Sequence, residues 1–137
     1  MQQLTQQLTK FAPQVLSVLR IVTGLIFMEH GLQKHFAFPA RAAGVASGPD
    51  LLSLQGIAGL LEIVGGTLII LGLFTRPVAF ILSGEMAIAY WYSHAPRGLY
   101  PVLNGGDAAI LYCFIFLYMI FAGGGAWSLD RWVRKTD

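Results

Sequence analysis

Four apolar stretches, each broken from the next by turn residues, set the hydrophobic pattern of this chain. A membrane span needs roughly 20 mostly apolar residues, with about 17–25 allowed. The first stretch runs from about Val15 to His35. The second runs from about Leu51 to Leu73 and carries one charge, Glu62. The third runs from about Pro77 to His94 and carries Glu85. The fourth, from about Asp107 to Ala122, is the shortest. It extends to 104–123 if Asn104 caps it and the Gly123-Gly124-Gly125 run ends it.

The breaks carry turn chemistry. Pro39 and Gly48-Pro49 mark the first loop, and Pro96, Gly98 and Pro101 the third. Arg76-Pro77 makes a tight second turn, with proline in a helix start where its missing N–H does no harm. Ser128 is placed to cap a short amphipathic tail helix with Arg131, Trp132, Arg134 and Lys135, lying at the membrane interface. The polar Met1–Lys10 segment precedes an apolar stretch too long for a cleavable signal peptide.

Composition strengthens this reading. Of the 137 residues, 55% are hydrophobic and only 12% charged, too few charges to coat a water-facing surface. The 16 glycines fit helices packed in lipid. The expected fold is therefore all-α: one domain over 1–137, an integral membrane bundle of four transmembrane helices with a short interfacial C-terminal helix. A net charge of +2, spread along the chain, gives no case for nucleic acid. The single cysteine, Cys113, excludes an intrachain disulfide and a cysteine-based metal cluster, and reads as a small buried hydrophobe.

Lys and Arg in the short loops set the orientation. With both termini on one side, that side holds Lys10, Arg76, Arg131, Arg134 and Lys135, against Lys34, Arg41 and Arg97 on the other. The bias places both termini in the cytoplasm. Phe11, Trp127 and Trp132 fall near the inner face, and Trp91, Tyr92 and Tyr100 near the outer.

Ionisable residues inside a span are costly and mark function by default. Glu29, His30, Gln33 and Lys34 lie toward the outer end of the first span, and Glu62 and Glu85 near the middle of the second and third. His94, Arg97, Asn104 and Asp107 lie at the outer ends of the third and fourth. Together they converge on the outer half of the bundle. Arg20 belongs to the inner half and is expected to snorkel inward. His30 and Lys34 share a helix face, and Gly59, Glu62 and Gly66 share another, so Glu62 is expected to point at a neighbouring helix. Lys34 and Arg97 are its candidate partners. The plainer readings are a structural tether for Glu62, snorkelling for Lys34 and Arg97, helix capping for Asn104 and Asp107, and ordinary hydrogen bonding for His30 and His94. Haem or metal ligation by the two histidines is disfavoured.

The ordered set of these residues resembles the DoxX family of small four-helix membrane proteins. The matching stretches are Phe27-Met28-Glu29-His30-Gly31-Leu32-Gln33-Lys34, Gly59-Leu60-Leu61-Glu62-Ile63-Val64-Gly65-Gly66, Leu71-Gly72-Leu73-Phe74-Thr75-Arg76-Pro77, His94-Ala95-Pro96-Arg97-Gly98 and Asn104-Gly105-Gly106-Asp107. The resemblance covers about Leu19 to Asp130. It implies a bacterial inner-membrane protein and an oxidoreductase label, which derives from similarity to a subunit of a thiosulfate:quinone oxidoreductase. The chain itself has no flavin or nicotinamide fingerprint, no haem attachment motif and no cysteine pair. Redox chemistry would need a bound lipid-soluble carrier or a partner's cofactor.

Three functions compete. The first is a quinone-linked oxidoreductase component with a headgroup pocket in the outer half. Phe27, Phe36, Trp91 and Tyr112 would wall it, His30 and Arg97 would bind quinone oxygens, and Glu62 or Glu85 would relay protons. The catalytic candidates are Glu62, Glu85 and His30; the binding candidates are Glu29, Gln33, Lys34, His94, Arg97, Asn104 and Asp107. The second is a non-enzymatic scaffold or partner subunit of a redox or stress-response complex. The third is a small proton-coupled transporter. The expected partners are the lipid bilayer, a quinone, and a membrane redox partner or second copy. The surface considered for homodimerisation is Gly56, Gly59, Gly65 and Gly66.

Overall fold

The computed structural model describes residues 1–40 and 48–134, excluding the side chain of Arg134. The charges counted above for Arg41, Arg134 and Lys135 lie outside the described residues. Among the described residues every regular element is helical. Helix α1 spans Gln2–Phe36, α2 Leu54–Leu71, α3 Thr75–Ala89, α4 Pro101–Asn104, α5 Asp107–Ala122 and α6 Leu129–Arg134. After Ala89 the chain continues through one wide π turn, Tyr90–His94, and a 3-10 turn, Ala95–Arg97, so the third apolar stretch stays helical beyond α3.

The boundaries follow local chemistry. Helix α1 starts 13 residues earlier than its apolar stretch, running through Pro13. Helix α2 opens on Ser53, whose side chain accepts from the Gly56 N–H, and closes on Gly72 at φ 66°, where glycine carries the left-handed turn without a Cβ penalty. Pro77 sits in the first turn of α3, as expected. Gly123 ends α5, but its start is Asp107, with Gly106 as N-cap. Asn104 instead ends the separate turn α4.

Helices α1, α2, α3 and α5 surround one core. Helix α2 packs against α1 and α3, and α3 against α5. Phe27 closes the ring, meeting Tyr112 and Phe116 of α5 edge-on at 5.2 and 5.0 Å between centroids. Ile69, Leu82, Met86, Phe116 and Met119 are buried with it. The outside is apolar as well: Val18, Val64, Phe80, Ile88, Phe114 and Phe121 are all exposed. Such a surface suits lipid as its solvent. Helices α1 and α2 are each long and apolar enough to cross a membrane, and α5 is a shorter apolar helix.

One end of the bundle, the tail end, is fastened by three residues whose roles were not legible in sequence. Arg20 does not snorkel: it is fully buried. Its Nε donates to the Gly124 carbonyl at 2.8 Å and one Nη donates to that of Trp127 at 2.7 Å. The other Nη donates to Ile69 and Ile70, carbonyls of the last turn of α2. Asp130 accepts from the Phe74 and Thr75 N–H groups at 2.8 and 2.7 Å, capping α3. Arg76 donates to the Ile120 and Phe121 carbonyls at the end of α5. Ser128 caps the tail helix, as expected, through the Arg131 N–H.

Candidate functional site

Glycines set the separation of α1 and α2, and that separation builds the site. A Cβ on Gly31 would stand 2.5 Å from the Gly59 carbonyl, and one on Gly24 3.0 Å from that of Gly66. At this approach Lys34 Nζ donates to Glu62 Oε1 at 2.6 Å. Glu62 is buried between the helices as its spacing predicted, and Lys34 is the partner it selects. Its second oxygen, Oε2, is buried with no hydrogen-bond partner among the described residues.

This packing corrects the expected dimer surface. Gly56, Gly59, Gly65 and Gly66 are all buried inside the chain. Gly59 receives His35, Gly66 receives Met28 and Gly65 receives Leu82 of α3. Small residues brought a helix close, but the helix belongs to the same chain. His35 was overlooked in the sequence: its Nε2 lies 3.0 Å from the Gly56 carbonyl and ties the end of α1 to the start of α2.

Glu85 comes from α3. Both its carboxyl oxygens are buried, and neither has a hydrogen-bond partner among the described residues. It lies within coulombic reach of Glu62 and Lys34. Tyr112 of α5 lies within the same reach of Glu29 and Glu62. The His30 ring stands edge-on to Tyr112 at 6.1 Å. All four main helices thus contribute: His30 and Lys34 from α1, Glu62 from α2, Glu85 from α3 and Tyr112 from α5.

Of the remaining candidates Glu29 borders the cluster through Tyr112, whereas His94 and Asn104 are engaged elsewhere. His94 stacks on Tyr90, and its Nδ1 lies 3.1 Å from the Asn104 carbonyl. Asn104 is buried, donates to the Gly98 carbonyl and accepts from the Gly106 N–H, each at 2.8 Å. It is a loop-closing residue, because its carboxamide can satisfy both a donor and an acceptor of the irregular backbone. Asp107 is exposed in the first turn of α5, where a negative charge is favoured. Arg97 and Gln33 are exposed, and so are Glu29 and His30. Phe36 and Trp91 point outward at 69% and 72% exposure, so they wall no interior pocket. Phe27 belongs to the core itself.

The cluster offers one ammonium, two buried carboxyl groups and a phenol in an apolar frame. Such a set can donate hydrogen bonds to carbonyl oxygens and hold a proton at the Glu85 carboxyl. Among the described residues no group of three or more His, Cys, Asp or Glu is arranged to hold a metal ion.

The DoxX sequence model matches residues 15–95, which include the first three groups of the cluster and Glu85. The chain is 47% identical to an uncharacterized protein of Haemophilus influenzae over 130 residues, covering 90% of this chain and 94% of that protein. It is 30% identical to an uncharacterized membrane protein of Mycobacterium tuberculosis, covering 90% of this chain and 83% of that one. It is 31% identical to the inner membrane protein YphA of Escherichia coli, over 87% of this chain and 90% of that protein. No solved structure matches it.

Proposed function

The chain belongs to the DoxX family of membrane proteins, and on that footing we propose that it crosses the bacterial inner membrane four times, holds a quinone-type headgroup at the Lys34–Glu62–Glu85–Tyr112 cluster, and exchanges protons with it. Both termini face the cytoplasm in this reading, and the cluster lies toward the outer leaflet. The observation that carries it is Glu85: a carboxyl group with two buried oxygens and no hydrogen-bond partner among the described residues. Natural interiors rarely leave such a group unmatched, because each unmet polar atom costs about 1–3 kcal/mol. An orphaned buried carboxyl beside a buried ion pair therefore points to a ligand that completes it.

The donor set fits that ligand. A quinone headgroup presents two carbonyl oxygens, and it supplies reversible two-electron, two-proton chemistry when bound. Lys34 and the Tyr112 hydroxyl are the hydrogen-bond donors. Glu85 in its neutral form donates from its O–H, and after giving up the proton it is an acceptor. Glu62 holds Lys34 in place, and His30, beside Tyr112 at the exposed edge, is the route for protons to the aqueous side. Electrons come from a membrane redox partner.

The test is a ligand inventory of the detergent-purified protein by solvent extraction and mass spectrometry. Near-stoichiometric quinone, lost in Glu85→Gln and Glu62→Gln, is the expected result. A preparation containing only bulk phospholipid would overturn the quinone reading and leave the scaffold reading in its place.

A further inference from the structure

Helix α1 carries a buried stripe and, on the opposite face, an exposed apolar one. The inner one, Ser17, Arg20, Gly24, Phe27 and Gly31, is buried against the rest of the chain. The outer one is Leu4, Leu8, Phe11, Val15, Val18, Val22 and Leu25, spaced alternately by four and three residues. All seven are exposed, from 63% at Leu8 and Val15 to 44% at Leu25.

Lipid accounts for the second half of that stripe and leaves the first half uncovered. The 35 residues of α1 span about 52 Å at 1.5 Å per residue, whereas a bilayer core is about 30 Å thick. With the apolar stretch from Val15 onward in lipid, residues 2–14 stand beyond it. The tail loop reaches α1 at Pro13 and Ser17, through the Ala126 and Trp127 N–H groups. N-terminal to that point every residue is exposed. Leu4, Leu8 and Phe11 there are apolar side chains open to water, a surface that calls for a partner.

From this stripe we infer that the projecting segment of α1 pairs with the same segment of a second copy of this chain as a parallel two-stranded coiled coil. Three features favour a second copy over the membrane surface. In the projecting segment the stripe is narrow and follows the heptad spacing, Leu4, Leu8 and Phe11, the pattern of a coiled-coil seam, whereas a lipid-lying helix presents a broader apolar face. The polar face is Gln and Thr, and Lys10 is the one charged residue from Gln2 to Leu19, so the basic residues of an interfacial helix are missing. The positions flanking the seam, Thr5, Gln7, Ala12 and Gln14, are uncharged, so identical helices meet without repulsion.

Register supports it further. With Leu4 and Phe11 at d and Leu8 and Val15 at a, Lys10 falls at c and Pro13 at f. Both face away from the seam, so neither the charge nor the proline ring enters it. The Thr5 hydroxyl, at the flank, bonds back to the Met1 carbonyl at 3.1 Å, leaving its methyl group for the partner. Two copies inserted in one orientation hold these helices parallel.

Disulfide scanning of the full chain in membranes tests this, in a Cys113→Ser background that removes the native thiol. Strong oxidative cross-linking is expected for Leu4→Cys, Leu8→Cys and Phe11→Cys, and background levels for Gln6→Cys and Lys10→Cys. A flat profile, or none, would overturn the proposal. In detergent, Leu8→Lys is expected to abolish the dimer by light scattering with the thermal melt of the bundle unchanged. A dimer that survives Leu8→Lys would equally overturn it. None of these positions touches the carboxylate cluster, so quinone retention is unaffected by either result.

Discussion

At the tail end, Arg20 is buried and all three of its guanidinium nitrogens donate to carbonyl groups. Asp130 and Arg76 satisfy the ends of α3 and α5. Among the described residues Thr75 Oγ1 is the exception there, buried without a hydrogen-bond partner. Toward the other end, Lys34 donates to Glu62 Oε1, while Glu62 Oε2 and both Glu85 oxygens have no hydrogen-bond partner among the described residues. Both regions take charge into an apolar interior. The first distributes it over backbone groups at the helix ends, so the charge rigidifies the junction of α2, α3, α5 and α6. The second leaves hydrogen-bonding capacity unspent among the described residues, which is why a ligand is proposed there and not at the tail end.

Replacing Arg20 is the strongest way to break this contrast. Arg20→Met strips the guanidinium bonds from the carbonyls of Ile69, Ile70, Gly124 and Trp127, and is expected to cost on the order of 3–5 kcal/mol. Thermal unfolding in detergent would register it as a large fall in midpoint; a midpoint unchanged within error would show that the tail end is no clamp. Next comes Gly31→Ala, whose new methyl would collide with the Gly59 carbonyl and push α1 from α2, at roughly 1–3 kcal/mol. It is also expected to part Lys34 from Glu62 and so weaken ligand retention. Gly84→Ala is its control, since a Cβ there meets nothing within 4 Å, and the melt is expected to stay level or rise slightly.

Asp130→Asn keeps one acceptor of the α3 cap and removes the charge, for about 1 kcal/mol. The smallest effect on stability belongs to the other end. Glu85→Leu replaces an unpartnered carboxyl with an apolar group, and is expected to leave the melt unchanged or raise it by about 1 kcal/mol while abolishing quinone retention. A clear fall in stability would mean that Glu85 already has its partner in the protein, and the two ends would then be alike.

The site was legible in sequence to the extent that single residues announce themselves. Glu62 and Glu85 stand out because a carboxylate within an apolar helix is costly wherever it points. Gly59, Glu62 and Gly66 on one face told that a helix approaches there. Which helix approaches was hidden, because two copies and one folded chain satisfy the same pattern. Lys34 was one of two candidate cations, and geometry chose it because Arg97 lies past the π turn, on an exposed loop. Asn104 read as a helix cap because its type and position suit one; the preceding turn α4 puts it in the loop instead.

By itself the sequence determined the all-helical class, the membrane as solvent, the turn at Pro77, the capping Ser128 and the family, because each rests on local composition or short-range spacing. Tertiary structure alone decided that Arg20 is a clamp, that the glycine face is internal and that Glu85 is left without a hydrogen-bond partner among the described residues. The physical reason is range. Arg20 bonds to residues 49 to 107 positions away, and the satisfaction of a buried polar atom depends on every element around it, which no window along the chain contains.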